Sequence, residues 1–219
     1  MAQNPPKTVV DVYWSFRSPY SYLVTPDLLR LREDYDVEVK LRPVLPIAVR
    51  AKETLFDDVE GQKKVGYILM DAARRAEFLG MPIAFPSPDP VVQDLQTFTV
   101  AKDQPYIYRL VSLGVEAERQ GKGIDLAYQV SHLVWGGEPG WDQGQRLADA
   151  VAAAGLDLAE MEASLQQYDP LAEVDKNQAA LEASGHWGVP TMVVNGEPFF
   201  GQDRIDTLRW RLDQLGLRN

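Results

Sequence analysis

Val9-Val10-Asp11-Val12-Tyr13-Trp14-Ser15 runs straight into Phe16-Arg17-Ser18-Pro19-Tyr20-Ser21-Tyr22-Leu23. The first part is rich in β-branched and aromatic residues, the composition of a buried strand. Phe16-Arg17-Ser18-Pro19 breaks it. Ser18 followed by Pro19 is an N-cap with proline at the first helical position, so a helix opens there. Tyr22, Leu23, Leu28, Leu29 and Leu31 give that helix one apolar face. Val37–Pro43 then alternates apolar and polar, which predicts a second strand. Strand, helix, strand in that order implies a right-handed parallel β-α-β unit.

The far end of the chain has a matching texture. A helix over about Pro170–Ser184 leads into Gly185-His186-Trp187-Gly188-Val189-Pro190. Thr191–Val194 is a β-branched strand, Asn195-Gly196 is a two-residue hairpin signal, and Glu197–Phe200 is the return strand. Asp203–Leu215 places Ile205, Leu208, Leu212 and Leu215 on one helical face. Between the two ends, from Pro46 to Tyr168, helical periodicity dominates. Helices are expected near Gly61–Leu79, Val91–Lys102, Pro105–Gln120, Asp125–Trp135, Gln143–Ala154 and Asp157–Gln166, separated by Gly- and Pro-rich breaks. The order β-α-β … α-β-β-α around an all-helical block looks like a thioredoxin fold with a helical insertion. Residues 1–45 and 169–219 are then the thioredoxin-like domain, and 46–168 the inserted helical domain.

Composition narrows the chemistry. The chain has 219 residues, no cysteine, two histidines (His132 and His186) and a formal net charge of −10. Absent cysteine excludes a disulfide framework, a thiolate zinc site, a cysteine nucleophile and a Cys-x-x-Cys redox pair. Two histidines argue against a multi-histidine metal site, so no metal is expected. The acidic balance argues against nucleic acid or an anionic membrane as partner. Met1–Thr8 lacks the apolar core of a signal peptide, and no apolar run approaches the roughly 20 residues that cross a bilayer, so the cytoplasm is the expected compartment.

Four places could carry function. Ser18 sits where a strand end meets a helix N-terminus, a favoured anion site; on spacing alone a plain N-cap is the commoner role of such a serine. Val189-Pro190-Thr191 precedes a strand, where the backbone could pair with an extended ligand, or where Pro190 is a strand-opening proline. Gly201-Gln202-Asp203 opens the last helix, and Asp203 could hold a ligand amino group or cap that helix. Lys64, Tyr67 and Asp71 share a helix face. Lys64 could meet a carboxylate or belong to a solvated face, and Tyr67 could line a cleft or lie in the core. His132 and His186 fit structural roles.

Phe16-Arg17-Ser18-Pro19-Tyr20-Ser21-Tyr22-Leu23, Lys64-Val65-Gly66-Tyr67, Gly80-Met81-Pro82 with Phe85-Pro86, Gly188-Val189-Pro190-Thr191-Met192 and Phe200-Gly201-Gln202-Asp203-Arg204 occur in order along nearly the whole chain. Together they resemble the 2-hydroxychromene-2-carboxylate isomerase family and its relative, the kappa-class glutathione transferases, within the DsbA-like branch of α/β thioredoxin folds. The resemblance implies glutathione as cofactor and Ser18 in the position of the redox cysteine, hydrogen-bonding the glutathione sulfur. It implies a cis peptide at Val189-Pro190, with Val189 pairing with the cysteinyl backbone. Gly201, Gln202 and Asp203 would take the γ-glutamyl end. Lys64 would sit near the glycyl carboxylate or the substrate acid, Tyr67 would line the substrate cleft, and Arg17 is a substrate-facing candidate of this chain's own. Arg17 departs from the family, which often has an apolar residue there; it adds positive charge beside Ser18. Reversible thiolate addition to an aromatic-derived, carboxylated small molecule is the implied reaction. Conjugation of glutathione to an electrophile and non-catalytic peptide binding are the other two classes the residues allow. Many members of the family are dimers, so a homodimer is part of what the resemblance implies.

Overall fold

The computed structural model describes residues 7–50, 59–94, 97 and 99–219. Strand β1 (Thr8–Trp14), helix α1 (Pro19–Asp34) and strand β2 (Val37–Pro43) follow the pattern read from the sequence. β1 and β2 pair in parallel, with Val10 opposite Val39 and Val12 opposite Leu41. Strand β3 (Thr191–Val194) pairs antiparallel to β1, and β4 (Glu197–Phe200) pairs antiparallel to β3. The sheet order is β2-β1-β3-β4. At the β3–β4 turn, Asn195 (φ 50) and Gly196 (φ 80) are both left-handed. That is the backbone a two-residue primed turn requires, and Asn-Gly meets it at low steric cost.

α1 starts as its sequence dictates. Ser18 has an extended backbone and its Oγ accepts the Ser21 N–H at 3.2 Å, with Pro19 in the first turn. Pro26 lies inside this helix and cannot donate to the Tyr22 carbonyl. The Thr25 hydroxyl takes over, donating to that carbonyl at 2.7 Å. Tyr22, Leu23, Leu28 and Leu31 are each no more than 1% exposed and join Val10, Val12 and Trp14 in the main core. Burying each such side chain contributes roughly 1.5–3 kcal/mol.

Between β2 and the second half of the sheet stand α2 (Ile47–Arg50), α3 (Val59–Leu79), α4 (Pro105–Arg119), α5 (Gly123–Trp135), α6 (Arg146–Ala153), α7 (Leu158–Leu165) and α8 (Pro170–Ala183). A 3-10 turn (Gln202–Arg204) and α9 (Ile205–Gln214) close the chain. α4 approaches the sheet closely at Gly114: a Cβ there would stand 2.9 Å from Pro43 Cγ and 3.1 Å from Phe16 Cε2.

Among the described residues, the helix expected over Val91–Lys102 is absent. Over the described part of Val91–Lys102 the chain doubles back, with a bridge between Gln93 and Val100 and hydrogen bonds from Asp94 N–H to Thr99 O and Ala101 N–H to Val92 O, both 2.9 Å. The Gln104 amide clamps the base, donating to the carbonyls of Val92 and Ala101 at 2.8 Å and accepting from Val92 N–H at 2.9 Å. Val91, Val92, Thr97, Thr99 and Val100 are β-branched, and Asp94 Oδ1 takes the Thr97 N–H at 2.9 Å in competition with a helical bond. Local turn chemistry won over apolar periodicity. Nearby, α2 forms where the sequence reading placed only the start of the helical block.

Candidate active site

The end of β1 is held firmly before it turns into α1. Ser18 N–H bonds Ser15 O at 3.0 Å, and Trp135 Nε1 on α5 donates to Phe16 O at 3.0 Å. These bonds present the Ser18 side chain at the N-terminus of α1, where unpaired N–H groups and the helix dipole favour negative charge. Because Ser18 Oγ already accepts from Ser21 N–H, its own hydrogen is the group left to donate, and Val189 O is its distant acceptor here.

Facing it is the Val189-Pro190 peptide, which is cis. Ser18 Oγ lies 3.5 Å from Val189 O, at the long limit of a hydrogen bond. The loop before Pro190 is braced by Gly188 N–H to His186 Nδ1 at 2.8 Å and Thr191 Oγ1 to Gly188 O at 2.7 Å. His186 stacks on Phe200 at 3.9 Å between ring centres, and burial pushes its pKa down. His132 is also structural: its Nδ1 meets Tyr128 O at 2.8 Å, and burial lowers its pKa against that bond.

Ser18 and Val189 open onto a cavity of about 840 Å³. Its walls are mainly apolar, with Ile47, Val65, Ile68, Leu69, Ile83, Phe85, Trp135 and Trp187 prominent. Tyr20 and Tyr67 also line it. Tyr20 donates to Asp71 at 2.7 Å; burial and that carboxylate hold its pKa above the ordinary phenol value, so its proton is already committed. Asp71 is held below the usual carboxylate range, first by the Tyr20 bond and then by Arg74. Tyr67 is 54% exposed, so it belongs to the rim and not to the core.

The positive charge expected at Arg17 is spoken for. Its guanidinium forms a two-pronged ion pair with Asp89, both contacts at 2.7 Å. Arg50 is the cation that the sequence reading missed. It lines the cavity, with Nε donating to Leu45 O at 2.9 Å and Nη2 donating to Trp187 O. Its hydrogen-bond partners among the described residues are carbonyls; burial lowers its pKa, opposed by the charge of Glu182. Its signal was slight: a basic residue ending a short stretch opened by Pro46.

The remaining candidates lie off the cavity wall. Lys64 is exposed on α3. Gln202 is buried, and its Oε1 accepts Arg75 Nε at 2.9 Å, which ties α3 to the 3-10 turn. Asp203 is exposed, pairs with Arg204 at 3.0 Å, and folds back over Gly201. Gly201 has φ 104, and a Cβ there would come within 2.7 Å of Asp203 Oδ1. These residues still adjoin the cis peptide, because Gly201 N–H donates to Pro190 O at 2.9 Å. Among the described residues no group of three or more His, Asp or Glu side chains could hold a metal, and no helix is long and apolar enough to cross a membrane.

The model of the DSBA-like thioredoxin domain family matches residues 9–213. The chain is 25% identical to the 2-hydroxychromene-2-carboxylate isomerase of Pseudomonas putida, over 96% of this chain and 97% of that protein. It is 22% identical to glutathione S-transferase kappa 1 of Rattus norvegicus, over 96% of this chain and 93% of that protein. A solved 2-hydroxychromene-2-carboxylate isomerase superposes with a TM-score of 0.68 at 25% identity, covering 94% of this chain and 95% of the other.

Proposed function

The chain belongs to the DSBA-like thioredoxin domain family, and from that premise we propose that it is a glutathione-dependent isomerase acting on an aromatic-derived, carboxylated small molecule. The observation that carries this is the Ser18 hydroxyl at the N-terminus of α1, which donates only a long 3.5 Å bond to Val189 O of the cis Val189-Pro190 peptide and lines an apolar cavity of about 840 Å³. A chain with no cysteine has no thiol of its own to place there. The names of its relatives, an isomerase of this kind and a kappa glutathione transferase, point the same way.

The residues present suit glutathione. Ser18 Oγ has a hydrogen to give, and Val189 lies outside the strand ladder with its backbone beside it. Gly201, Gln202 and Asp203, next to Pro190, would hold the γ-glutamyl end, with the Asp203 carboxylate suited to an ammonium group. Glutathione would supply a thiolate nucleophile suited to reversible addition to an electrophilic carbon. Ser18 donates to the sulfur and, with the helix N-terminus, favours its ionised form at neutral pH, against a free thiol pKa of about 8.5. Trp135, Phe85, Ile68 and Trp187 bury the ring and exclude water. Arg50 is placed to receive a carboxylate, and Tyr67 borders the opening. Lys64 stands outside the wall and serves at most at the rim, near the glycyl carboxylate. In this reading residues 1–45 and 169–219 form the thioredoxin-like unit, and 46–168 form the insertion that closes the cavity. The partner is a small molecule and not nucleic acid or membrane, and the setting is cytoplasmic. A homodimer belongs to the same proposal, which light scattering tests.

Neutralisation of Arg17 by Asp89 favours one further reading, conjugation of glutathione to a neutral aromatic electrophile, since it leaves fewer free cations for an acid. Calorimetric titration with glutathione, for the wild-type chain and Ser18→Ala, tests both. No heat of binding at millimolar glutathione would sink them, and assays of chromene isomerisation and thioether formation then separate them.

A further inference from the structure

Arg17, directly before Ser18, lines the cavity, and its charge is met by a residue 72 positions away. Nε and Nη2 of Arg17 each donate to one oxygen of Asp89 at 2.7 Å, and the two side chains are only 16% and 15% exposed. Asp89 is itself fixed. Its Oδ1 accepts Val91 N–H at 2.9 Å, and the segment carrying it is pinned by Trp141 Nε1 to Pro88 O at 2.7 Å and Gly140 N–H to Ser87 O at 2.6 Å. A pair this sheltered is screened weakly by salt, and losing one partner leaves a charge that its neighbours feel strongly. Ser18 already stands at the positive end of α1, whose first turn holds no acidic residue. A group beside the Ser18 side chain therefore meets the helix N-terminus alone while the Asp89 carboxylate pairs with Arg17, and the helix and a guanidinium together if that carboxylate is replaced by a neutral side chain.

We propose that Asp89 is a positioning residue that acts on Ser18 through Arg17: it clasps the guanidinium and cancels its charge at the place where the reacting sulfur lies. The inference rests on Ser18 facing a sulfur, as proposed above, but not on which molecule brings it. The clasp sets how acidic that sulfur is, and so balances how much thiolate forms against how readily it attacks and leaves.

The absence of cysteine makes the test direct. Ser18→Cys introduces a single thiol, whose ionisation is read from thiolate absorbance and from the pH profile of alkylation by iodoacetamide. Adding Asp89→Asn is expected to lower that thiol's pKa by about one unit, a tenfold change in the thiolate-to-thiol ratio. Adding Arg17→Leu together with Asp89→Leu, which removes both charges, is expected to return the profile of Ser18→Cys alone. An unmoved profile in Asp89→Asn overturns the proposal. So does an equal shift in the double-leucine chain, since the cause would then be a loosened turn and not a charge. If the Asn variant fails to fold, Asp89→Ser strips the same charge and is judged by the same criteria. Glutathione titration of the wild-type chain is a separate measurement; its failure would remove the proposed function and leave these thiol profiles to decide the clasp.

Discussion

Trp135 Nε1 donates to the Phe16 carbonyl at 3.0 Å, in a fully buried contact between α5 and the turn that delivers Ser18. The indole therefore does two things: it forms part of the cavity wall and it holds the turn in place. Through this bond, the helical block reaches the residue next but one before Ser18.

Trp135→Phe keeps the apolar body and removes the donor, leaving the Phe16 carbonyl buried and unpaired. A cost of about 1–3 kcal/mol is expected, read as a lowered urea midpoint with unchanged slope. Because the turn loosens, turnover should fall by more than KM rises. A variant with normal turnover would show that Ser18 is positioned without this bond.

Ser18→Ala separates two roles of one hydroxyl. As an N-cap, Ser18 contributes roughly 1 kcal/mol, so the variant should remain folded with a modestly lower unfolding midpoint. As donor to a bound sulfur it should matter far more, with turnover lowered by about 10²-fold or more, the scale seen when a donor to developing negative charge is lost. Equal thiolate content of bound glutathione in both chains would leave Ser18 as a cap and nothing else.

What the sequence discloses about this molecule is what neighbours along the chain decide. β1, α1, β2 and the β3–β4 hairpin were legible because Ser18-Pro19, the alternation in Val37–Pro43 and Asn195-Gly196 act locally. The ordered motifs likewise pointed to the family. The fold-back over 91–102 was not legible, since Val91, Val92 and Val100 satisfy an apolar period while Asp94 and the distant Gln104 amide dictate a turn. Arg17 was visible as a charge, but its partner Asp89 was not, because no local pattern joins positions 17 and 89. For the same reason no local pattern separates Arg50 from Lys64: which cation lines the cavity depends on how α2 and α3 lie against the sheet.

Arg50→Met tests that exchange of cations. The methionine keeps the aliphatic packing and removes the charge from an apolar wall. For a carboxylated aromatic substrate, kcat/KM is expected to fall about tenfold or more, equivalent to about 1.4 kcal/mol. For the matching methyl ester it should change little. Lys64→Met should leave both almost unaltered, and the reverse pattern would return the role to Lys64.

The two histidines predict how stability depends on pH. Burial holds His132 and His186 below the ordinary histidine value, outweighing their backbone hydrogen bonds. The folded chain therefore binds protons at these sites less readily than the unfolded chain. Their contribution is fully present above the unfolded pKa of about 6.5 and is lost as pH falls through the lower folded values. Glu118 acts in the opposite sense: burial raises its pKa despite the Leu41 N–H bond, so its contribution is lost as pH rises. The urea midpoint should decline from about pH 7 toward pH 5, and the decline should flatten in His132→Phe and His186→Phe. His186→Phe keeps the stack on Phe200 but deletes the acceptor for Gly188 N–H. It should thus also weaken binding in the Val189 loop, which His132→Phe, whose ring packs on Tyr22 and Tyr128, should leave intact. A decline as steep in both variants as in the wild-type chain would assign the slope to carboxylates instead.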